Sequence, residues 1–281
     1  MNRPILSLTA LCITGVALTI TGCTAQADEP AAVPPTIGHI HGVAADPRGE
    51  DLFIATHTGI FTLTPSGTVA GPIGGHDFDA MGFTVLDDTL FASGHPGMET
   101  SAELGAPNLG IIRSDDFGET WSPVALNGSA DFHVLTAGPD GTLYGFASAE
   151  VELLISVDEG RTWTPGASFA AADLAATDDG LYAATEAGLQ VSTDEGRTFT
   201  PATGAPVLYT LDAAADGSLA GVGTDGSVWS QGPDGAWQSL DTVQGAAQAF
   251  SVIGEDRFIL VDDRGVVEIT PDSARVLSPA R

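Results

Sequence analysis

The chain has 281 residues and a formal net charge of −28, and all nine of its positive side chains are arginine, because it contains no lysine. Such a field argues against nucleic acid and anionic lipid headgroups as partners, and the missing lysine excludes Schiff-base and P-loop chemistry. The two cysteines, Cys12 and Cys23, both lie near the N-terminus, so the rest of the chain can form neither a disulfide nor a thiolate metal site.

In chain order, Asn2 and Arg3 precede an apolar run from Ile5 to Ile20 that is too short and too near the N-terminus for an ordinary membrane span. It ends in Ile20-Thr21-Gly22-Cys23, which resembles a bacterial lipobox. The resemblance implies a signal peptide over 1–22, cleavage before Cys23 and acylation of its thiol. The mature protein would then be held at the extracytoplasmic side of the cell envelope by its lipid. An ordinary secretory signal is the alternative. Residues 23–36, rich in Ala and Pro, read as the lipidated cysteine and a flexible tether, and 37–281 as one all-β domain.

From Ile37 onward the sequence repeats at roughly 40 residues, a spacing suited to propeller blades. Second strands align as Leu52–Ala55, Leu90–Ser93, Leu143–Phe146, Leu181–Ala184, Leu219–Val222 and Phe258–Val261. Third strands align as Gly59–Leu63, Gly110–Arg113, Leu153–Ile155, Gly188–Val191, Gly226–Trp229 and Gly265–Ile269. The expectation is a six-bladed β-propeller of four-stranded antiparallel blades. Met98–Leu109 is read as an insertion loop, and a seventh blade follows only if that stretch hides one.

Three third strands run into the same pattern, S-x-D-x-G-x-T-[WF]. It occurs with Ser114, Asp116, Gly118 and Trp121, with Ser156, Asp158, Gly160 and Trp163, and with Ser192, Asp194, Gly196 and Phe199. A degenerate copy spans Ser230 to Trp237. The aspartate can accept hydrogen bonds from a tight turn, the glycine can take a positive φ, and the aromatic can pack against a neighbour. The pattern resembles the Asp-box of sialidase-like and photosystem-assembly-factor-like propellers. There it staples the fold and takes no part in catalysis.

The blade alignment also sorts the polar residues. Boxes join third to fourth strands, so they are expected on the face opposite the one where each inner strand begins and where second strands turn into third. The six histidines fall on that second face. His39 and His41 open the first inner strand, His57 and His95 follow the second strands of blades one and two, His76 precedes blade two, and His133 opens the inner strand of blade three. The positions equivalent to His57 and His95 in the other blades are Ser148, Glu186, Thr224 and Asp263. Asp79, Asp131, Tyr209 and Gln248 lie on a similar level. Imidazoles with carboxylates suit Cu, Zn, Ni or Fe better than Ca or Mg. His41, His57, His95 and His133 are the expected ligands, with His39 and His76 in reserve. The alternative is a wet channel whose polar lining bonds only to itself and to water.

Further segments, His39-Ile40-His41-Gly42, Ala55-Thr56-His57-Thr58-Gly59, Met81-Gly82-Phe83, Ala92-Ser93-Gly94-His95-Pro96, Asn108-Leu109-Gly110 and Asp131-Phe132-His133, resemble bacterial secreted propellers labelled glycosylhydrolase-like. A sialidase-like site would need an arginine cluster, and only Arg264 is suitably placed. A different glycosidase could draw two acids from Asp79, Asp131, Glu186 and Asp263, with Tyr209 nearby. The expected function is ligand binding at the histidine-rich mouth, through a transition metal. Glycoside hydrolysis of an extracellular glycan is the alternative. Besides the membrane, the expected partners are a small ligand, a glycan or an extracytoplasmic protein, met by a monomer.

Overall fold

Runs rich in aliphatic and aromatic residues, each bounded by an Asp- or Gly-containing turn, pair with their sequence neighbours because short hairpins allow nothing else. The computed structural model describes residues 37–148, 150–232 and 234–280; the leader, Cys23 and the tether lie outside these residues. Six four-stranded antiparallel sheets follow one another along the chain, each in simple sequential order. Their inner strands are Ile40–Ala45, Asp79–Leu86, Phe132–Ala137, Asp173–Thr177, Leu208–Ala213 and Ala249–Gly254. The molecule is a six-bladed β-propeller. The Met98–Leu109 stretch is a loop with one short 3-10 turn, Ala102–Leu104, tied down by the buried Leu104 and Leu109.

The apolar faces of successive blades meet in six buried clusters, one per seam among the described residues. The last seam joins Ile40, Ile54 and Leu63 of blade one to Ile259, Val261 and Val266 of blade six. No strand is exchanged there: Ser273–Pro279 completes blade six by pairing within its own sheet. The ring is closed by packing and by a few polar contacts, such as Ile40 N–H donating to Gln248 Oε1 at 3.1 Å.

Each box closes a seam. In the second, Ser156 Oγ accepts the Gly160 N–H at 2.9 Å and donates to Asp158. The carboxylate accepts the Thr162 N–H at 2.8 Å and the Thr162 hydroxyl at 2.6 Å. The serine therefore carries a backbone bond that the sequence pattern assigns to the aspartate. Two consecutive residues are left-handed, Glu159 at φ 58° and Gly160 at φ 81°, where only the glycine is expected. The box aromatics pack on the same seams, Trp163 on Phe132 with ring centroids 4.9 Å apart and Phe199 on Phe169 at 4.5 Å.

Two channel carboxylates cross the seams between inner strands. Asp173 accepts the Leu211 N–H at 2.9 Å, and Asp212 accepts the Val252 N–H at 2.8 Å and the Ser251 hydroxyl at 2.9 Å. Burial pushes both carboxyls up, Asp173 to about 6, against the hydrogen bonds that favour the anion.

Candidate metal centre

Inner strands carry a β-bulge near their start in four blades. The register slips at Ile40/Gly42, Ala80/Gly82 and Leu208/Thr210, and between Phe146 and Ala147 opposite Phe132 and Val134. The residues left over are His41, Met81, Tyr209 and His133. A bulged residue is freed from alternation and can be re-aimed, and all four line the central cavity of about 620 Å³.

Around this mouth two groups of side chains converge, each bridging a seam. In the first, His41 and His57 come from blade one and Asp79 from blade two. His41 Nε2 is 3.0 Å from His57 Nδ1, His57 Nδ1 is 2.9 Å from Asp79 Oδ2, and His41 Nε2 is 3.3 Å from Asp79 Oδ1. In the second, His95 comes from blade two, and Asp131 and His133 from blade three. Both imidazoles address one carboxylate oxygen, with His95 Nε2 at 3.2 Å and His133 Nε2 at 3.0 Å from Asp131 Oδ2. Asp79 and His95 face each other on adjacent strands, so the groups are neighbours.

Local structure sets these side chains. The Thr56 hydroxyl donates to the Gly59 carbonyl at 2.8 Å and accepts the Thr58 N–H, which fixes the turn that presents His57. Ser93, fully buried, accepts the Phe132 N–H at 2.7 Å and locks the segment between Asp131 and His133 onto blade two. Gly94 precedes His95 at φ 142°, and a Cβ there would overlap the Asp79 carbonyl oxygen.

The first group crowds two imidazole nitrogens against each other and against one carboxylate. If His57 Nδ1 gives its hydrogen to Asp79, His41 Nε2 has none to accept from it. If both nitrogens are protonated, each reaches a different Asp79 oxygen, and the two N–H groups stand side by side at 3.0 Å. Asp79 Oδ1 is buried, and His41 Nε2 at 3.3 Å stands outside hydrogen-bond geometry to it. Burial lowers the His41 imidazolium to about 4, opposed by Asp79 and assisted by His57, His39 and His133, so the ring is neutral at neutral pH. Donors bound to one tetrahedral ion at about 2.0–2.1 Å stand about 3.3 Å from each other. The imidazole-to-carboxylate separations in both groups, 2.9–3.3 Å, are close to that. In each, the ligand-capable atoms lie within 4.8 Å of one another.

The four histidines expected as ligands, His41, His57, His95 and His133, are brought together in space, but as two groups across two seams rather than as one ring. Asp79 and Asp131 join them as partners. His39 stands beside the first group, its ring centroid 4.9 Å from His41 and 5.5 Å from His57. His76 turns elsewhere: its Nε2 donates to the Glu119 carbonyl in the box of blade two at 3.0 Å, because the segment before blade two packs on that hairpin. Glu186 and Asp263 are exposed on the turns of blades four and six and belong to neither group. Tyr209 lines the cavity, its phenol pushed up by burial. Sequence reasoning did not single out Met81 as a site residue, although the bulge glycine after it was a signal.

Arginines offer the mouth nothing for an anionic substrate. Each of the seven described ones is paired with carboxylate: Arg264 with Asp262 and Asp241, Arg48 with Asp46, Arg113 with Asp115 and Glu159, and the others likewise.

Fold and motif together define the class: this is a six-bladed β-propeller carrying BNR/Asp-box repeats, and the BNR/Asp-box repeat model matches residues 112–123. A search of curated protein sequences returns no match. Among solved structures, the chain is similar to a gluconolactonase from Xanthomonas campestris, with a TM-score of 0.61, 12% identity and coverage of 84% of this chain and 86% of that one. It is similar to YCF48 bound to a D1 peptide, at TM-score 0.51 and 14% identity over 84% and 80% of the two chains. A GH74 enzyme from Niastella koreensis gives 0.59 and 15%, over 85% of this chain and 45% of that one. At these identities the likeness shows the fold alone.

Proposed function

We propose that this propeller binds transition-metal ions at its mouth, through His41, His57 and Asp79 and through His95, Asp131 and His133. The observation that carries the reading is the first group: two imidazole nitrogens and the two oxygens of one carboxylate, drawn from two blades, with separations of 2.9–3.3 Å that match donors around a single ion. An ion replaces the protons at this crowded point with one charge that all three side chains favour. Three protein ligands leave a coordination position open to a water or ligand facing the cavity. The acidic chain draws cations toward the mouth. We further propose that Cys23 carries the lipid that holds the protein to the extracytoplasmic face of a membrane; membrane fractionation of Cys23→Ser is the check.

Glycan hydrolysis would need two carboxyls flanking a scissile bond. Asp79 and Asp131 are each engaged by two imidazoles, which favours coordination over acid catalysis.

The test is elemental analysis of the untagged propeller purified without chelator, followed by titration of the apoprotein. Near-stoichiometric Cu, Zn, Ni or Fe supports the reading. No metal on isolation and no uptake of any of the four overturns it.

A further inference from the structure

We propose that the Met81 thioether is an additional ligand at this mouth and makes the centre selective for copper in its cuprous state. The inference rests on the reading of the two histidine–aspartate groups as metal sites.

Met81 is the bulged residue of blade two, the position held by His41 in blade one and His133 in blade three. It therefore stands between two imidazoles that each belong to a ligand group, on the blade both groups share. The three strands approach closely at this level. A Cβ on Gly82 would lie 2.5 Å from the Phe132 carbonyl oxygen, and one on Gly42 would lie 3.7 Å from Phe83 Cβ. Met81, His41 and His133 line one cavity.

Packing does not account for the residue. Met81 is absent from all six seam clusters, whereas its neighbours Phe83 and Val85 pack against one. An unbranched thioether in a polar, imidazole-lined mouth gains little from apolar contact, but its sulfur has a lone pair to give. Imidazole and carboxylate by themselves do not discriminate among Zn, Ni, Fe and Cu, whereas a soft thioether selects Cu(I). With no cysteine beyond Cys23, methionine is the only sulfur this domain can offer.

The experiment compares the propeller with its Met81→Leu and Met98→Leu variants. Cu(I) affinity is read by competition with bicinchoninate and Zn(II) affinity by competition with a chromophoric chelator. Met98, 96% exposed on the following loop, is the control for adventitious thioether binding. Met81→Leu is expected to weaken Cu(I) binding by about tenfold or more, to leave Zn(II) binding unchanged, and to remove a sulfur scatterer from the copper X-ray absorption spectrum. Met98→Leu should change none of these. Equal loss for both metals, equal loss in both variants, or a parent spectrum without sulfur would overturn the inference while leaving the histidine–aspartate sites standing. If the parent binds neither metal, the inference is overturned, and the proposed function falls with it only if nickel and iron are not taken up either.

Discussion

At the scale of single residues, the mouth and the boxes make opposite demands on similar polar groups. His57 and His95 are half exposed, and each leans on a carboxylate of the next blade, so losing them removes proposed ligands while the apolar packing of the seams stays in place. The double variant His57→Ala/His95→Ala is expected to lose transition-metal uptake by equilibrium dialysis while its thermal unfolding stays close to that of the metal-free parent. Retained stoichiometric binding would place the ion elsewhere. Ser156 is the contrary case. Its buried hydroxyl satisfies the Gly160 N–H, and Ser156→Ala would strand that donor at a cost of about 1–3 kcal/mol. Urea unfolding should show the loss, and metal affinity should not move.

Single elements set the geometry of the site. The turn from second to third strand and the bulge of each inner strand deliver its side chains, and the glycines beside the bulges let the strands close up. Gly94→Ala tests this directly. A Cβ there would meet the Asp79 carbonyl and lie 3.0 Å from the Met81 N, at a positive φ that already disfavours it. Lower stability by more than about 1 kcal/mol is expected, with weakened metal binding in the same variant. A fully stable variant with parental affinity would show that the element is not what aligns the ligands.

This is also where legibility in the sequence stops. Second and third strands could be aligned because they are buried and dense in Leu, Ile, Val and Phe. Fourth strands such as Val69–Ala70 and Thr200–Pro201 are short and outermost, and they carry no hydrophobic signature. The histidines could be assigned to the mouth by counting from aligned strands. Their division into two groups depends on bulges, and a bulge slips the register by one residue without changing composition. His76 shows the same limit: strand counting placed it, but packing on the Glu119 hairpin turned it away.

Across the whole molecule, acidic groups pull stability in two directions with pH. Asp194, held near 2 by the Thr198 hydroxyl and N–H and by Ser192, contributes stability that is present above its unfolded value of 3.8 and lost as pH falls toward 2. Asp173 does the reverse. Burial lifts its carboxyl to about 6, so it binds its proton more tightly folded than unfolded. Its contribution is greatest below 3.8 and is lost as pH rises to about 6. Against Asp173→Asn, the parent should therefore lose ground between pH 4 and 6 in urea unfolding done with chelator present. Parallel curves would show that the channel carboxylate is not desolvated.

The seam between blades six and one has a consequence for chain order. Among the described residues no strand crosses it, and Ile37 and Ala280 line the same groove there. Where a polypeptide begins and ends is thus a matter of where the ring happens to be cut, and six cuts are nearly equivalent. Joining these two points with a short linker and reopening the chain between blades three and four should give a circular permutant with the same unfolding midpoint. Because whole blades are the units of such a ring, length can change by one repeat at a time without any strand having to find a new partner.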